Sequence, residues 1–195
     1  MSLKYSSTTA DFLNWEQNLN LVRKLNDDGN VRMSLLISLG SFWGLRISDI
    51  LQLKWDQIIS DENLELKEKK TGEKRIIKIN PQLHQHIVDC YTKIKPLKDD
   101  EFVFLSQKNS IYSVQQVNRL FKLIKNKYKL KIKNFSTHSM RKTFGRQIFS
   151  QSGENAELAL VKLSQLFNHS STLITRRYLG ISQEELINTY DMLSF

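Results

Sequence analysis

The sequence predicts a mostly α-helical protein with one small antiparallel β-sheet. Along most of the chain, apolar residues recur at three and four positions, which is the spacing of amphipathic helices. One stretch, LELKEKKTGEKRIIKI, instead alternates apolar and polar residues on either side of a turn that contains Gly. Only two Pro and seven Gly occur in the 195 residues, so we expect long helices with short connections and no linker between domains.

The first predicted elements are three helices and a hairpin. Helical spacing covers Asn14–Leu25 and Val31–Trp43, and GLRISDILQLKW predicts a further helix that begins after Gly44. The alternating stretch then predicts a β-hairpin with strands Leu64–Lys69 and Lys74–Ile79.

The second half of the chain is predicted to be helical apart from one short strand. Pro81 suits the first turn of a helix that runs to about Ile94. EFVFL, at 101–105, predicts a short strand, and Ser113 is placed to cap a helix that ends at about Tyr128. Further helices are predicted from about Thr137, Asn155, Ser171 and Ser182.

Charge indicates the class of partner. Lys and Arg number 29 against 20 Asp and Glu, so the net charge is +9 and the pI is near 9.6, which favours a polyanion such as nucleic acid. Basic residues concentrate in 67–78 and 119–133. Both runs are plausible phosphate-contacting surfaces, although such a run taken alone is more often a solvated helix face.

Several classes of protein are excluded by what the sequence lacks. Cys90 is alone, so neither an intramolecular disulfide nor a cysteine metal cluster is predicted, which suits the cytoplasm. The longest apolar stretch, LLISLGSFWGL, is too short to cross a membrane. We find no acidic cluster, HExxH spacing or Gly-rich phosphate loop, so we predict no metal, no other cofactor and no nucleotide hydrolysis.

Five residues could together cleave a phosphodiester. His138 and Arg141 are three apart in THSMRKTF, so a helix presents both to one site, and Arg46 falls in the first turn of its predicted helix. Two guanidiniums suit the non-bridging oxygens of a phosphate. A phenol such as Tyr178 is a weak nucleophile until a base or a positive field helps it lose its proton. Singly, these residues and His169 are more often structural; together they meet the needs of one reaction.

These motifs resemble the catalytic domain of tyrosine recombinases, the phage-integrase family. FWGLRISDILQLKW is similar to its first Arg box, THSMRKTFGRQIF to its His-x-x-Arg box, and LSQLFNHSSTLITRRYLG to its closing His…Tyr box. The nine positions from His169 to Tyr178 are the family's usual interval, with Thr175 in its expected place. The resemblance covers about Leu21 to Leu193 and implies the catalytic-domain fold of this family of DNA breaking and rejoining enzymes.

The resemblance also implies roles for the residues. Tyr178 would attack the phosphate, form a 3′-phosphotyrosine and release a 5′-hydroxyl. Arg46 and Arg141 would hold the phosphate, His169 would donate a hydrogen bond to it, and His138 would assist proton transfer at the tyrosine.

The resemblance also implies roles for residues in and near the hairpin. A hairpin lysine would be the general acid for the 5′-oxygen. Lys70 is the best match, and Lys69 and Lys74 are competitors. Asp49 matches an acidic position that orients the first arginine. The residues predicted to contact DNA are Lys69, Lys74, Arg75, Lys142, Arg176 and Arg177.

The implied function is that of a site-specific recombinase or integrase acting on double-stranded DNA as a homotetramer, with any accessory DNA-bending proteins left open. We expect 1–195 to be one catalytic domain without the usual N-terminal core-binding domain. The helix at 182–195 either docks on a neighbouring protomer or folds back on its own. Asn168 replaces a commoner Gly, and we expect it to accept the same left-handed turn.

Other functions stay open at this stage. The chief alternative is a catalytically silent DNA-binding or regulatory relative, and a basic RNA or chromatin protein is a more distant one. We also expect Tyr178 to be held away from the phosphate site until DNA binds.

Overall fold

The computed structural model describes residues 10–60 and 63–181. In that part of the chain it is mostly helical with one two-stranded antiparallel sheet, as predicted. A 3-10 turn is present at Gly153–Asn155. The elements are α1 (Trp15–Asp27), α2 (Val31–Trp43), α3 (Ile47–Ile50), α4 (Trp55–Ile58), β1 (Asn63–Lys67), β2 (Lys74–Lys78), α5 (Pro81–Ile94), α6 (Val114–Lys127), α7 (Thr137–Gln151), α8 (Ala156–Phe167) and α9 (Thr172–Leu179).

Helix α2 is the centre of the main core. Ten of its 13 residues are buried, and it packs against α1, α5 and α7. A helix that is apolar on nearly all sides must be surrounded by other elements, which explains this central place. It ends at Gly44, whose φ of +58° is a left-handed conformation that favours glycine. The ring of Phe144 lies where a Cβ on Gly44 would project, so α7 approaches closely at this point.

The predicted hairpin is confirmed with slightly shifted ends. Strand β1 pairs with β2 from Asn63 opposite Lys78 to Lys67 opposite Lys74. The turn between them is closed by hydrogen bonds from the Glu68 N–H to the Glu73 carbonyl (2.9 Å) and from the Gly72 N–H to the Glu68 carbonyl (2.8 Å).

The helix predicted to begin after Gly44 is present but consists of one turn, α3, and a separate turn, α4, begins at Trp55. Between them the backbone leaves helical geometry to pair with residues near 99–103. The Trp55 N–H donates to the Glu101 carbonyl (3.1 Å), and the Val103 N–H donates to the Leu53 carbonyl (2.9 Å). The strand predicted at 101–105 is correspondingly reduced to isolated bridges.

A second, smaller group of buried residues supports α8 and α9. We call it the C-terminal cluster, and Phe144 and Ile148 of α7 pack on its surface. Gly145 permits this docking, because a Cβ there would lie 2.6 Å from a methyl of Leu179. The helix predicted from Ser182 lies outside the described residues. The C-terminal cluster consists of Leu160, Leu163, Phe167, Leu179 and Ile181.

Candidate active site

All six predicted catalytic residues line one pocket of about 350 Å³. They come from the start of α3, the hairpin turn, α7, the loop after α8, and α9. Tyr178 therefore lies in the same pocket as both arginines, and its displacement from the phosphate site before DNA binds stays a prediction. The six residues are Arg46, Lys70, His138, Arg141, His169 and Tyr178.

Arg46 reaches the pocket from the residue just before α3. It is the N-cap of that one-turn helix, with an extended φ of −70° and ψ of 144°, and not part of its first turn as predicted. Its Nη1 pairs with the Glu68 carboxylate, and its Nη2 donates to the Phe167 carbonyl (3.3 Å). The guanidinium is thus held on two sides, by the hairpin and by the end of α8.

Arg141 lies on the inner face of α7 and is 5% exposed. Its Nη1 donates to the Gly44 carbonyl (2.6 Å), and its guanidinium lies 4.2 Å from the centroid of the Phe167 ring. Burial, together with the nearby cations Arg46 and Arg75, lowers the pKa of Arg141 to about 10. The group remains a cation at neutral pH, fixed by packing against an aromatic face.

Tyr178 lies among aromatic rings and cations. Its ring is 5.4 Å from that of His169 and 6.4 Å from that of His138, both at steep angles, and the Lys142 ammonium lies 5.4 Å from it. Its hydroxyl donates to the His138 carbonyl at 3.5 Å. Burial raises the pKa of Tyr178 to about 12, although the Arg141 guanidinium opposes this. The phenol is therefore protonated in the resting protein and requires a base to react.

The two histidines are held differently. His138 is exposed in the first turn of α7, while His169 Nδ1 is hydrogen-bonded to the Thr175 hydroxyl (2.9 Å). Desolvation and the charge of Arg141 lower the pKa of both histidines. Both are accordingly neutral near pH 7, and His138 can accept a proton there.

The hairpin turn brings Lys70 to the pocket. Lys70 is exposed and lines the pocket, whereas Lys74 lines a neighbouring groove beside α8. Lys69 is also exposed, and its backbone N–H donates to the buried Asp49 carboxylate (3.0 Å). Asp49 thus links the hairpin turn to α3. The contact with the Arg46 guanidinium that we expected of Asp49 is instead made by Glu68.

Glu68 is the residue of the site that the sequence analysis missed. It is buried, and its carboxylate pairs with Arg46 and with Arg75 (3.1 Å). Burial acts to raise the pKa of Glu68, but hydrogen bonds from Arg75 and Arg46 outweigh it and hold the pKa below its usual value. The available signal was an acidic residue within the run KEKK, among residues otherwise expected to face DNA.

Several residues predicted to contact DNA are engaged within the protein. Arg75 also donates to the carbonyls of Leu166 and Trp43, at 3.1 Å each. Lys142 is buried beside the Tyr178 ring, and Arg176 pairs with Glu157. Lys69, Lys74 and Arg177 are exposed. Their contacts with DNA stay predictions.

Residues 10–60 and 63–181 were also considered for a metal site and for a membrane-spanning helix. No group of three or more His, Cys, Asp or Glu residues that could hold a metal ion occurs there. No helix in these ranges is both long and apolar enough to cross a membrane.

Comparison with known sequences identifies the family. The phage integrase family matches residues 11–185, which include every residue of the pocket. The chain belongs to the phage integrase family. A relative in this family, the probable integrase/recombinase YoeC of Bacillus subtilis (strain 168), is 32% identical over 158 residues, or 80% of this chain and 81% of YoeC.

A second relative is longer than this chain. Tyrosine recombinase XerC of Caldanaerobacter subterraneus subsp. tengcongensis is 26% identical over 188 residues. That alignment covers 95% of this phage integrase family member but 51% of XerC, so the chain spans about half of that relative.

Solved structures confirm the predicted fold. The XerA recombinase superposes with a TM-score of 0.70 at 17% identity, covering 94% of this chain and 66% of XerA. The XerH site-specific recombinase bound to difH substrate in a pre-cleavage complex gives 0.67 at 18% identity, over 95% of this chain and 55% of XerH. Lambda integrase bound to DNA gives 0.61 at 19% identity, over 86% of this chain and 59% of lambda integrase.

Proposed function

We propose that this chain is the catalytic part of a site-specific DNA recombinase or integrase that cleaves and rejoins DNA through a 3′-phosphotyrosine at Tyr178. One observation carries the proposal: a tyrosine, two arginines, two histidines and a lysine from distant parts of the chain meet in one pocket. The names of the relatives support it, since they are integrases and recombinases, two of them solved in complexes with DNA.

The proposed reaction is a transesterification. The Tyr178 oxygen attacks phosphorus and its proton passes to His138, which has the lowered pKa of a base that is neutral near pH 7. The bond from phosphorus to the 5′-oxygen breaks, and Lys70 gives that oxygen its proton. A 5′-hydroxyl from another strand then reverses the steps. Because the phosphotyrosine keeps the energy of the broken bond, rejoining requires no ATP.

We assign stabilisation of the negative charge in the transition state to the two arginines and His169. The pentacoordinate transition state carries extra negative charge on its non-bridging oxygens, and fixed donors aimed at that charge lower the barrier. Arg141 is held by Gly44 and Phe167, and Arg46 by Glu68 and Phe167, so neither has to be ordered when the reaction begins. His169, braced by Thr175, would donate a hydrogen bond to the phosphate.

The proposal includes double-stranded DNA as the partner. The net charge of +9 and the exposed Lys69, Lys70 and Lys74 around the hairpin turn support it. A homotetramer on DNA and a cytoplasmic location are further parts of the proposal, and they follow from the family resemblance alone.

The test is covalent trapping. Wild-type protein is incubated with nicked duplexes prepared from the DNA of its own organism, so that cleavage beside a nick releases a short fragment and leaves the protein attached. After denaturation, attached DNA is recovered and sequenced. We expect adducts from the wild type and from Tyr112→Phe, a tyrosine outside the pocket, and none from Tyr178→Phe.

Two results would contradict the proposal. An adduct that persists in Tyr178→Phe assigns the nucleophile elsewhere. Duplex DNA binding by folded wild-type protein with no adduct from the whole library indicates a silent DNA-binding relative.

A further inference from the structure

Glu68 is a buried carboxylate in one of the most basic parts of the chain. It follows β1 directly, opens the hairpin turn, and its side chain is 3% exposed. Six of the twelve residues in KEKKTGEKRIIK are Lys or Arg, and such a segment is expected to face solvent or DNA. A carboxylate buried in this way is stable only when it is paired and hydrogen-bonded.

Four side chains satisfy the Glu68 carboxylate. Oε2 accepts from Arg46 Nη1, from the Thr71 hydroxyl (3.2 Å) and from Asn168 Nδ2 (3.2 Å). Oε1 accepts from Arg75 Nη1 (3.1 Å). These partners come from the start of α3, the hairpin turn, the loop after α8, and β2, and we call Glu68 and these four residues the Glu68 cluster.

Three branches of the Glu68 cluster each lead to a different predicted catalytic residue. Arg46 is bound directly. Lys70 lies two residues after Glu68, in a turn closed by the Glu68 backbone. Asn168, which also donates to Glu73 (3.0 Å), is the neighbour of His169 in the chain. The Asn168 backbone has the left-handed φ of 51° predicted from the sequence, and its amide side chain adds a link that a glycine there would lack.

We propose that Glu68 is a positioning residue for this reaction: its carboxylate holds Arg46, the turn that carries Lys70 and the loop that carries His169 in one fixed arrangement. The proposal rests on the proposed function. Glu68 is not expected to touch the reacting atoms, because its oxygens face Arg46, Arg75, Thr71 and Asn168.

Replacement of the carboxylate by an amide should break the arrangement with little change in volume. A carboxylate accepts hydrogen bonds at both oxygens, whereas Gln has one acceptor oxygen and one donor NH₂. In Glu68→Gln the NH₂ group would face the donor of either Arg46 or Arg75. The variant also removes the negative charge between these cations, so their repulsion would increase.

The first test uses a duplex that the wild type cleaves in the trapping experiment. It compares cleavage rates on two versions of this duplex that differ in the leaving group. One substrate has the normal phosphodiester and the other has sulfur in place of the 5′-bridging oxygen. A thiolate leaves without a general acid. Sulfur substitution should therefore restore the cleavage rate of a variant in which Lys70 is absent or misplaced. Lys70→Ala is the reference variant, because its loss of cleavage rate should be fully restored on the sulfur substrate. Glu65→Gln is the matched control, because Glu65 is exposed on β1 and faces Ile76 across the hairpin.

We expect Glu68→Gln to cleave the normal substrate more slowly than wild type by about tenfold or more, and the sulfur substrate with a clearly smaller defect. Glu65→Gln should stay within about twofold of wild type on both. Cleavage by Glu68→Gln at the wild-type rate would overturn the proposal, and an equal defect on the two substrates would overturn the part of it that concerns the turn carrying Lys70.

Asn168→Gly provides a milder variant if Glu68→Gln does not fold. Glycine keeps the left-handed turn and removes only the amide links, so we expect a loss of roughly threefold to tenfold in cleavage of the normal substrate. An Asn168→Gly rate equal to wild type would show that the loop carrying His169 is placed without the Glu68 cluster.

Hydrogen exchange separates this proposal from the proposed function, because it does not require catalysis. The N–H groups of Lys69 and Gly72 should exchange faster in Glu68→Gln by about tenfold or more, and at the wild-type rate in Glu65→Gln. If wild type forms no adduct but exchange rises as expected, the proposed function fails and the positioning role remains. Unchanged exchange in Glu68→Gln overturns the positioning role in either case.

Discussion

Arg46 and Arg141 are carried by the main core, whereas His169 and Tyr178 are carried by the C-terminal cluster. Among residues 10–60 and 63–181, the main core contains 28 buried apolar residues centred on α2, and the C-terminal cluster contains five. The two arginines proposed to bind the phosphate are thus carried by the larger core, and the proposed nucleophile, Tyr178, is carried by the smaller cluster. The difference indicates that the geometry of the phosphate site is harder to disturb than the position of the tyrosine.

Phe167 is the place where the two regions meet. Its ring lies under the Arg141 guanidinium and 5.7 Å from the Tyr178 ring, and its carbonyl accepts from Arg46. A single residue of the C-terminal cluster therefore touches both arginines and the tyrosine. Variants on either side of this junction test whether the two regions contribute separately.

The largest effect is expected from Arg141→Ala, on the main-core side. Loss of one preorganised donor to the phosphate should slow cleavage on the order of 10²–10³-fold. Arg141→Lys should recover little of this, since an ammonium lacks the planar fork of the guanidinium. Single-turnover cleavage of a trapped duplex measures both. A rate for Arg141→Ala close to wild type would remove Arg141 from the phosphate site.

Two leucine variants compare the regions directly. Leu36 of α2 and Leu179 of α9 are both fully or almost fully buried, and truncation of such a residue to Ala costs about 2–5 kcal/mol. We expect Leu36→Ala to lower the stability of the whole domain. Leu179→Ala should chiefly open the C-terminal cluster, with faster hydrogen exchange in α8 and α9 and slower cleavage. Equal exchange in α2 and α9 of Leu179→Ala would mean that the regions unfold as one unit.

A smaller effect is expected from Thr175→Val. The variant keeps the shape of the buried side chain but removes the hydroxyl that binds His169 Nδ1. Loss of one such bond is worth about 1 kcal/mol, which corresponds to about a fivefold loss of cleavage rate. Thr172→Val, in the same helix but outside the pocket lining, is the control. An unchanged rate would show that His169 is oriented by other contacts.

The smallest effect is expected from pH. Burial lowers the pKa of His86 beside the main core, and desolvation with Arg141 lowers the pKa of His138 and His169 in the pocket. The pKa of each histidine in the folded protein is below its value near 6.5 in the unfolded chain. The folded protein therefore has its full stability above about pH 6.5, where the histidines are neutral. It loses stability as the pH falls from there through the folded pKa values. Urea unfolding between pH 5 and pH 7.5 measures the slope, and NMR titration assigns it. A folded pKa above 6.5 for His138 would contradict the expected loss of stability at low pH from this residue.

The sequence analysis named six residues that line one pocket, but it did not predict the contacts that hold them there. Local patterns were sufficient for the hairpin and for the left-handed turn at Asn168, since both depend on neighbouring residues. The break between α3 and α4 was missed because it depends on pairing with residues about 45 positions later in the chain. Glu68 was missed for the same reason, because its partners Arg46 and Asn168 become neighbours only in the folded chain.

In the proposed reaction, Tyr178 becomes covalently joined to the 3′ end of a cleaved strand. The most direct measurement is mass spectrometry of the trapped adduct after nuclease and protease digestion. We predict a peptide in which Tyr178 carries a nucleotide through its 3′-phosphate. A nucleotide on a different residue, or a link through a 5′-phosphate, would contradict it.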